Sequence, residues 1–315
     1  MNSGYEYREV VGAGAAGATL LDHLARHYRH STRDEWRERI EAGRVLLDGE
    51  AAGGSALLRA GQSIVWRRPP WNEPEAPLAW ALLYRDDDLL GVAKPAGLPT
   101  LPGGGFLEHT LFRRVQRSHP DAVPVHRLDR GASGVVLFAR RPRAAAWLAA
   151  LFREGRAEKV YRALVEGHPG ADRFEVGHPI AGLHMPDGRR LFVAAGSVPP
   201  GGPAFATGRA RQALTHVRVL ERRADGTTLV EARPVTGRPH QIRIHLAAAG
   251  HPLVGDPFYA VGGGVRPDAG RPGATGFHLH AAEIAVPASD EGMRLVVACN
   301  PPRILSTTRG GEWSA

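Results

Sequence analysis

"PVHRLDRGASGVVLFAR", residues 124–140, places one carboxylate just ahead of a hydrophobic strand. Asp129 lies between Arg127 and Arg130 in a turn rich in small residues, so we expect it at the rim of a sheet. A turn aspartate often only accepts hydrogen bonds from nearby backbone N–H groups. In a water-poor cleft, a cation within about 4–6 Å would instead keep the carboxylate ionised, as a nucleophile or base requires. Both interpretations, a structural turn and a reactive carboxylate, stay open at this point.

A second dense segment, "TGRPHQIRIHLAAAGHPLVGDPFYA" at residues 236–260, gathers arginines and histidines around one predicted helix. Arg243, one helical turn after His240, is placed to point into a cleft, although a position on the helix surface is the alternative. The histidines suggest a metal site, but H-E-x-x-H and the cysteine-containing zinc spacings are missing. We therefore expect no metal.

The chain has only two lysines, Lys94 in "KPAG" and Lys159 in "KVYRALV", beside 38 arginines. Either a guanidinium does not fit at these two positions, or the two lysines are present there by chance. Tyr161, two residues after Lys159, lies on the same strand face. A tyrosine there is either a core aromatic or, at a cleft, a surface on which a base stacks.

The larger part of the chain predicts a mixed α+β domain. Its expected elements include a hairpin with an acidic turn at residues 86–88, the strands "SGVVLFAR" and "KVYRALVEG", and a helix "RAAAWLAALFREG" ended by Gly155. Later strands are "LTHVRVLE" and "TTLVEARPV". Residues 181–207 are interpreted as a loose insertion rich in glycine and proline. Strands outnumber helices without strict alternation, which favours a mixed, mostly antiparallel sheet.

A proline-rich stretch, "RRPPWNEPEAP", divides the chain. We predict a small N-terminal module at residues 1–70, a semi-rigid linker at 71–77 and a large domain at 78–315. In the module, "TLLDHLARHY" and "STRDEWRERIEAG" predict two short helices, and "RVLLDGE" and "QSIVWRR" predict strands.

The stretch "VVGAGAAGAT" matches the G-x-G-x-x-G spacing of a dinucleotide site through Gly12, Gly14 and Gly17. A true site needs a buried strand before the glycines and an acidic residue about 20 positions later at the end of a second strand. Here the preceding "YEYREV" is polar at alternate positions, and the later region, "EWRERI", is helical in pattern. We predict a loop, and no nucleotide cofactor.

The formal charge of +8 favours anionic partners. Residues 71–315 hold 30 basic against 23 acidic residues, so the excess lies mostly in the large domain. Arginine forks match phosphate oxygens, which makes nucleic acid the leading partner. The single cysteine, Cys299, cannot form an internal disulfide, and there is no apolar signal core or membrane-length apolar run. We expect a cytoplasmic protein without membrane contact.

Together these segments resemble the RluA-type pseudouridine synthase family. The resemblance rests on "LLYRDDDLLGVAKPAGLPT", "HRLDRGASGVVLFAR", "EKVYRALVEG", "GRPHQIRIHLAAAGHPLVGDPFYA" and "FHLHAAEIAVP", in family order across residues 78–287. The N-terminal module looks like the S-four-type RNA-binding domain that many members carry, with "STRDEWRERIEAGRVLLDGE" as the best-fitting piece.

The resemblance implies a pseudouridine synthase fold and a role for each motif residue. Asp129 would be the catalytic aspartate, Tyr161 would pack against the target base, and Arg243 would pair with the aspartate. His126 and Arg127 would belong to the loop that helps to extrude the nucleotide. We also expect Lys94, Lys159 and His240 to bind RNA. The chain departs from the family at Gly131–Ala132, where an acid and a threonine are common, and in the insertion, which affects the RNA contacts.

The implied reaction breaks the bond between uracil and ribose and rejoins the ring through carbon, without a cofactor. The sequence leaves three routes open for the aspartate: attack on carbon 6 of the ring, attack on the anomeric carbon, or removal of a sugar proton. We expect a monomer acting on RNA, with large-subunit ribosomal RNA favoured over transfer RNA. The alternatives are a catalytically silent RNA-binding or ribosome-assembly factor and, less favoured, a dinucleotide oxidoreductase.

Overall fold

Two compact units make up the chain in a computed structural model, Met1–Glu73 and Pro74–Ala315. The division falls inside the proline-rich segment 71–77. The structure describes residues 1–184, 190–197, 205–206, 209–266, 269, 273–287 and 294–308. In this part of the chain, no helix has the length and apolar character needed to cross a bilayer.

The N-terminal unit is a four-stranded antiparallel sheet with two helices. Its strands run in the order β1-β4-β2-β3, and the elements are β1 (Tyr5–Val10), α1 (Leu20–His27), α2 (Arg33–Glu41), β2 (Val45–Leu47), β3 (Glu50–Ala51) and β4 (Ser63–Arg68). The Thr32 hydroxyl and the Glu35 carboxylate form a reciprocal capping box at the start of α2, as "STRDEWRERI" predicts. Trp36, on α2, is 1% exposed at the centre of the core.

The glycine trio of this unit does not form a dinucleotide site. The strand before it, β1, is largely exposed and runs antiparallel to β4. The glycines lie around a short 3-10 turn, Ala13–Ala15, rather than at the start of a helix. A phosphate-binding βαβ unit needs a parallel, buried first strand, so the structure confirms the loop interpretation.

A ten-stranded mixed sheet forms the body of the larger unit. Its order is β10-β14-β15-β9-β16-β8-β6-β5, with β17 beside β16 and β7 beside β8. The strands are β5 (Ala81–Arg85), β6 (Leu89–Lys94), β7 (Val123–Pro124), β8 (Ser133–Ala139), β9 (Glu158–Glu166), β10 (Arg173–Val176), β14 (Thr215–Arg222), β15 (Thr227–Pro234), β16 (Leu279–Pro287) and β17 (Arg294–Ala298). All of these pairs are antiparallel except β16 with β8, which confirms the predicted mixed α+β class.

Among the described residues, three α-helices accompany this sheet: α3 (Leu111–Gln116), α4 (Pro142–Glu154) and α5 (Gln241–Ala248). Helix α4 begins with a proline, which suits a first turn, and ends at Gly155 in the left-handed conformation, φ 75°. One face of the sheet packs with α5 through Ile242 and Leu246, and the other packs with α4 through Leu148 and Leu151. The sheet is therefore buried on both faces near its centre.

The prediction of a loose insertion at residues 181–207 needs correction. Its described residues include a small antiparallel sheet in the order β12-β11-β13, built from β11 (Ile180–His184), β12 (Arg190–Ala194) and β13 (Phe205–Ala206). Leu183, Leu191 and Val193 are buried in a separate apolar cluster with Ile244 and Tyr259. The surrounding glycines and prolines obscured this alternation of apolar residues. Residues 185–189, 198–204 and 207 of the insertion lie outside the described residues.

Gly134 permits the parallel contact between β8 and β16. Its φ is 110°, and a Cβ at this position would lie 2.1 Å from the carbonyl oxygen of Ala281 on β16. No side chain can occupy that distance without moving one strand away from the other. The approach of β8 to β16 matters for function because β8 directly follows the loop that carries Asp129.

Gly134→Ala should lower the free energy of unfolding by at least about 2 kcal/mol, since it adds both a backbone clash and an unfavourable φ. Urea unfolding of the purified protein measures this. Gly170→Ala is the matched control, because a Cβ at that position meets no atom within 4 Å. A change within about 0.5 kcal/mol is expected there. Equal stability of the two variants would contradict the role of Gly134.

Candidate active site

A cavity of about 590 Å³ opens in the larger unit between β9, the N-terminal end of α5 and the loop before β8. Asp129, Tyr161, Arg243, His240 and Lys159 are among its lining residues. Its volume lies in the usual range of ligand-binding cavities and is large enough for a single nucleobase with its sugar. The sequence motifs that lie far apart along the chain therefore meet at one place.

Backbone contacts hold the loop that carries Asp129. The Thr100 hydroxyl donates to the carbonyl of Leu128 at 2.8 Å and accepts from the N–H of the same residue at 3.2 Å. The N–H of Ala132 donates to the carbonyl of Asp129 at 3.1 Å. Because Leu128 and the backbone carbonyl of Asp129 are both held, the Asp129 side chain has a defined direction into the cavity.

Arg243 joins two carboxylates with one guanidinium. Nε and Nη2 each donate at 2.8 Å to the two oxygens of Asp256, while Nη1 donates at 3.1 Å to Oδ2 of Asp129. Arg243 is 3% exposed, and the rings of Phe277 and Tyr259 lie 4.2 Å and 5.0 Å from its central carbon. Burial alone would lower the pKa of Arg243, but the hydrogen bonds and charge of Asp256 reverse the effect and raise it.

The Asp129 carboxylate stays ionised in this setting. Burial would raise its pKa, but the nearby His240 imidazole, the charges of Arg243 and Arg127 and the hydrogen bond from Arg243 outweigh burial and lower it. Its side chain is 23% exposed, toward the cavity. The site therefore presents an anion that is held by a cation on one side and open on the other.

Asp256 was missed as a site residue by the sequence analysis. Besides Arg243, it accepts the backbone N–H groups of Phe258 and Tyr259 at 2.9 Å and 3.2 Å, and its side chain is fully buried. The only available signal was its place in "GDPFYA", which reads as an ordinary turn. Nothing in the local pattern showed that this turn packs under α5.

His240 begins α5 in the left-handed conformation, with φ 54°. Its Nδ1 lies 2.6 Å from the hydroxyl of Tyr259, and its Nε2 lies 3.6 Å from Oδ1 of Asp129. Burial lowers the pKa of His240, and the charge of Asp129 partly opposes this. His240 is therefore a member of the aspartate's immediate surroundings, closer to the centre than an outer RNA contact would be.

Tyr161 lies on β9 and contributes its ring to the cavity lining. Burial, and then the negative charge of Asp129, raises the pKa of Tyr161, so the phenol keeps its proton near neutral pH. Lys159 precedes it on the same strand face and also lines the cavity, where burial lowers its pKa. A stacking surface and a cation thus accompany the carboxylate.

His126 and Arg127 line the cavity in different ways. The imidazole of His126 stacks on Phe152 at 4.6 Å, and its Nε2 accepts the N–H of Leu137 at 3.0 Å. Burial, with the charge of Lys159, lowers the pKa of His126 to about 3. The imidazole is therefore an uncharged part of the cavity lining. Arg127 is exposed and leaves its guanidinium available at the rim.

Lys94 does not lie where an RNA contact must lie, which corrects the sequence-based expectation. It is 2% exposed, and its Nζ donates to the carbonyls of Leu98, Pro95 and Arg130 at 2.7, 2.9 and 3.3 Å. Burial lowers its pKa to about 7, while Asp129 opposes the shift. The ammonium ties the "KPAG" turn to the residue after Asp129, so its role is to hold the loop.

Position 131 has a glycine, where the resembling family commonly has an acid, and the reason is steric. A Cβ on Gly131 would lie 2.6 Å from the ring of Phe277, the same ring that covers Arg243. No side chain fits between the loop and that ring. The neighbouring Ala132 is 1% exposed and is similarly confined.

Lys94 should make stability depend on pH with a definite sign. Its folded pKa, about 7, is below its ordinary value of 10.5, so the unfolded chain binds the proton more tightly between these values. The unfolding free energy of the wild type, minus that of Lys94→Met, should therefore rise between pH 7 and pH 10. Urea titrations at pH 6.5, 8 and 9.5 measure it. A constant difference would contradict the lowered pKa of Lys94.

Comparisons with known proteins agree with this geometry. A family model described as RNA pseudouridylate synthase matches residues 88–248. RNA pseudouridine synthase 5 of Arabidopsis thaliana is 34% identical over 98% of this chain and 95% of its own length. The dual-specificity RNA pseudouridine synthase RluA of Escherichia coli (strain K12) is 38% identical over 60% of this chain and 81% of its own.

Solved structures give the same result for the larger part of the fold. Human RNA pseudouridylate synthase domain containing 1 superposes with a TM-score of 0.56 at 29% identity, covering 73% of this chain and 87% of that one. Human RNA pseudouridylate synthase domain containing 4 has a TM-score of 0.54 at 26% identity. The family model covers half of the chain and the plant relative nearly all of it. The chain belongs to the RluA-type RNA pseudouridine synthases, isomerases that act on RNA.

Proposed function

We propose that Asp129 carries out the isomerisation of uridines in structured RNA, with Arg243 as its partner and Tyr161 as the surface for the target base. The observation that carries this proposal is the contact of 3.1 Å between Arg243 Nη1 and Asp129 Oδ2 at the wall of a cavity large enough for a nucleoside. Large-subunit ribosomal RNA is the proposed main target, and transfer RNA is the second.

A uridine inside RNA must leave its stack before it can enter such a cavity. Extrusion costs a few kcal/mol and is easiest in loops, where pairing is already lost. Stacking on the ring of Tyr161 offsets part of that cost, since a base on an aromatic side chain is stabilised by about 1–3 kcal/mol. His126, stacked on Phe152, provides a further flat wall.

Asp129 then acts as an anion on the bound nucleotide. All three routes, at carbon 6, at the anomeric carbon or on a sugar proton, require the ionised carboxylate. Arg243 supports each by keeping the pKa of Asp129 low and its oxygen directed into the cavity. The reaction has no net change of oxidation state, so the chain's own groups suffice for it.

Cations around the cavity are proposed to hold the backbone of the flanking nucleotides. Arg127, Lys159 and Arg238 line it, beside Asp129 as the single carboxylate among the lining residues that the structure describes. Arg127, being exposed, is the best placed to meet a phosphate during extrusion.

The N-terminal unit is proposed to be an S-four-like RNA-binding module. Its support is the pair of short helices followed by the β2–β3 hairpin, together with arginines on and after α2. The proposal of ribosomal RNA as the main target rests on the resemblance of this module to the S-four-type domain. We further propose that the protein works as a monomer.

Asp129→Asn should reduce uridine isomerisation by at least about 100-fold while leaving RNA binding intact, because the amide fills the same space without the charge. Release of tritium from RNA that carries uridine labelled at carbon 5 measures the reaction. Asp121→Asn, on an exposed loop residue, is the matched control and should keep full activity. An active Asp129→Asn variant would remove Asp129 from its proposed role.

RNA affinity should fall steeply as salt rises, because phosphate contacts release counterions. In filter binding between 50 and 300 mM KCl, Arg127→Gln should reduce the slope of log affinity against log salt by about 1. Arg222→Gln is the control, since its guanidinium is engaged by Asp172 and the carbonyl of Pro169. A flat salt response of the wild type would contradict phosphate-based binding.

A further inference from the structure

Uridine isomerisation needs a proton acceptor that the roles above do not supply. When C5 of uracil bonds to the anomeric carbon, C5 holds both its hydrogen and the new bond. That hydrogen must leave as a proton, its electron pair re-forms the C5–C6 double bond, and N1 gains a proton from solvent. All three routes for Asp129 share this step. In the route through carbon 6, Asp129 is still bonded to the ring when the proton leaves, so that route needs a second base.

Tyr161 is poorly suited to accept this proton. Its phenol is held in the protonated form by burial and by the negative charge of Asp129. A protonated phenol can stack and donate, but it cannot take a further proton. A second acceptor, besides the Asp129 carboxylate, must be a group that lines the same cavity with a free lone pair at neutral pH.

The hydrogen bonds around His240 fix the tautomer of its imidazole. The Tyr259 hydroxyl donates to the carbonyl of Phe192 at 3.0 Å, and a carbonyl can only accept. The phenolic proton is thus committed, so Nδ1 of His240 must donate to the Tyr259 oxygen at 2.6 Å. In the neutral ring, the lone pair is then on Nε2.

Nε2 is the atom that faces the reacting region. It lies 3.6 Å from Oδ1 of Asp129, too far for a hydrogen bond, and within the described residues it makes none. His240 lines the cavity together with Asp129 and Tyr161, and 19% of its side chain is exposed. A neutral Nε2 therefore opens toward the space in which the uracil would stack.

The charges around the ring suit a base that is neutral before the step and cationic after it. Burial lowers the pKa of His240, which keeps the ring neutral at rest. Once protonated, Nε2 has the Asp129 carboxylate as its counterion. The charged and titratable groups that face His240 are Asp129, Arg243, Asp256, Arg127 and Tyr259.

We propose that His240 Nε2 accepts the proton from C5 of the rearranged uracil, next to Asp129. This inference rests on the proposed role of Asp129 and assigns a separate, later step to a second residue. The left-handed backbone at His240, φ 54°, is consistent with it, since the conformation is unfavourable for most residues and directs the ring toward the aspartate.

His240→Gly provides the test, because glycine adopts the left-handed backbone freely and leaves space for imidazole from solution. The substrates are unmodified transcripts of transfer RNA and large-subunit ribosomal RNA, made with ordinary or with C5-deuterated uridine. Pseudouridine is quantified by mass spectrometry of the digested RNA. We expect a loss of about 100-fold, a larger deuterium isotope effect than in the wild type, and recovery on adding imidazole.

His240→Asn is the matched variant, since asparagine tolerates the same backbone but fills the site without a base. It should lose activity and show no recovery with imidazole. Thermal unfolding and RNA binding of both variants check the fold. Full activity of His240→Gly, or a loss with an unchanged isotope effect and no imidazole recovery, would overturn the proposal.

The experiments distinguish a failure of the role of His240 from a failure of the role of Asp129. If Asp129 does not have its assigned role, Asp129→Asn stays active whatever His240 does. If His240 does not accept the proton, Asp129→Asn is inactive, and the His240 variants lack the isotope effect and the rescue.

Discussion

The guanidinium of Arg243, shared between a buried carboxylate and a cavity carboxylate, is the interaction on which the site depends. Asp256 binds two of its nitrogens and is itself fixed by the backbone of Phe258 and Tyr259. The remaining nitrogen reaches Asp129. A buried cation without a partner is strongly unfavourable, and Asp256 supplies one at all times. The position of Arg243 is therefore set by the fold and does not depend on substrate.

Backbone contacts extend this rigidity to the loop on the other side of the cavity. Lys94 and Thr100 bind carbonyls just after and just before Asp129, and both side chains are buried. Beyond that loop, β8 is kept against β16 by the absence of a side chain at Gly134. The aspartate thus lies between two supports that come from distant parts of the chain. Catalytic groups held in this way need little rearrangement when a base enters.

Local pattern was sufficient for the elements and for part of the site. The capping box of α2, the proline and glycine at the ends of α4, and the dense "HQIRIH" helix could all be predicted, because each depends on neighbouring residues. The burial of Lys94, the support from Asp256 and the strands of the insertion could not. Each of those depends on contacts between residues far apart in sequence, and the glycines of the insertion concealed its short alternating strands.

The close fit of Gly131 against Phe277 constrains how relatives of this chain can vary. The Phe277 ring covers Arg243 on one side and leaves no room for a Cβ on the other. A homologue that carries an acid at position 131 needs a smaller or differently placed residue at position 277. Positions 131 and 277 should consequently co-vary across an alignment of relatives. Asp129, between the two arginines, should stay constant.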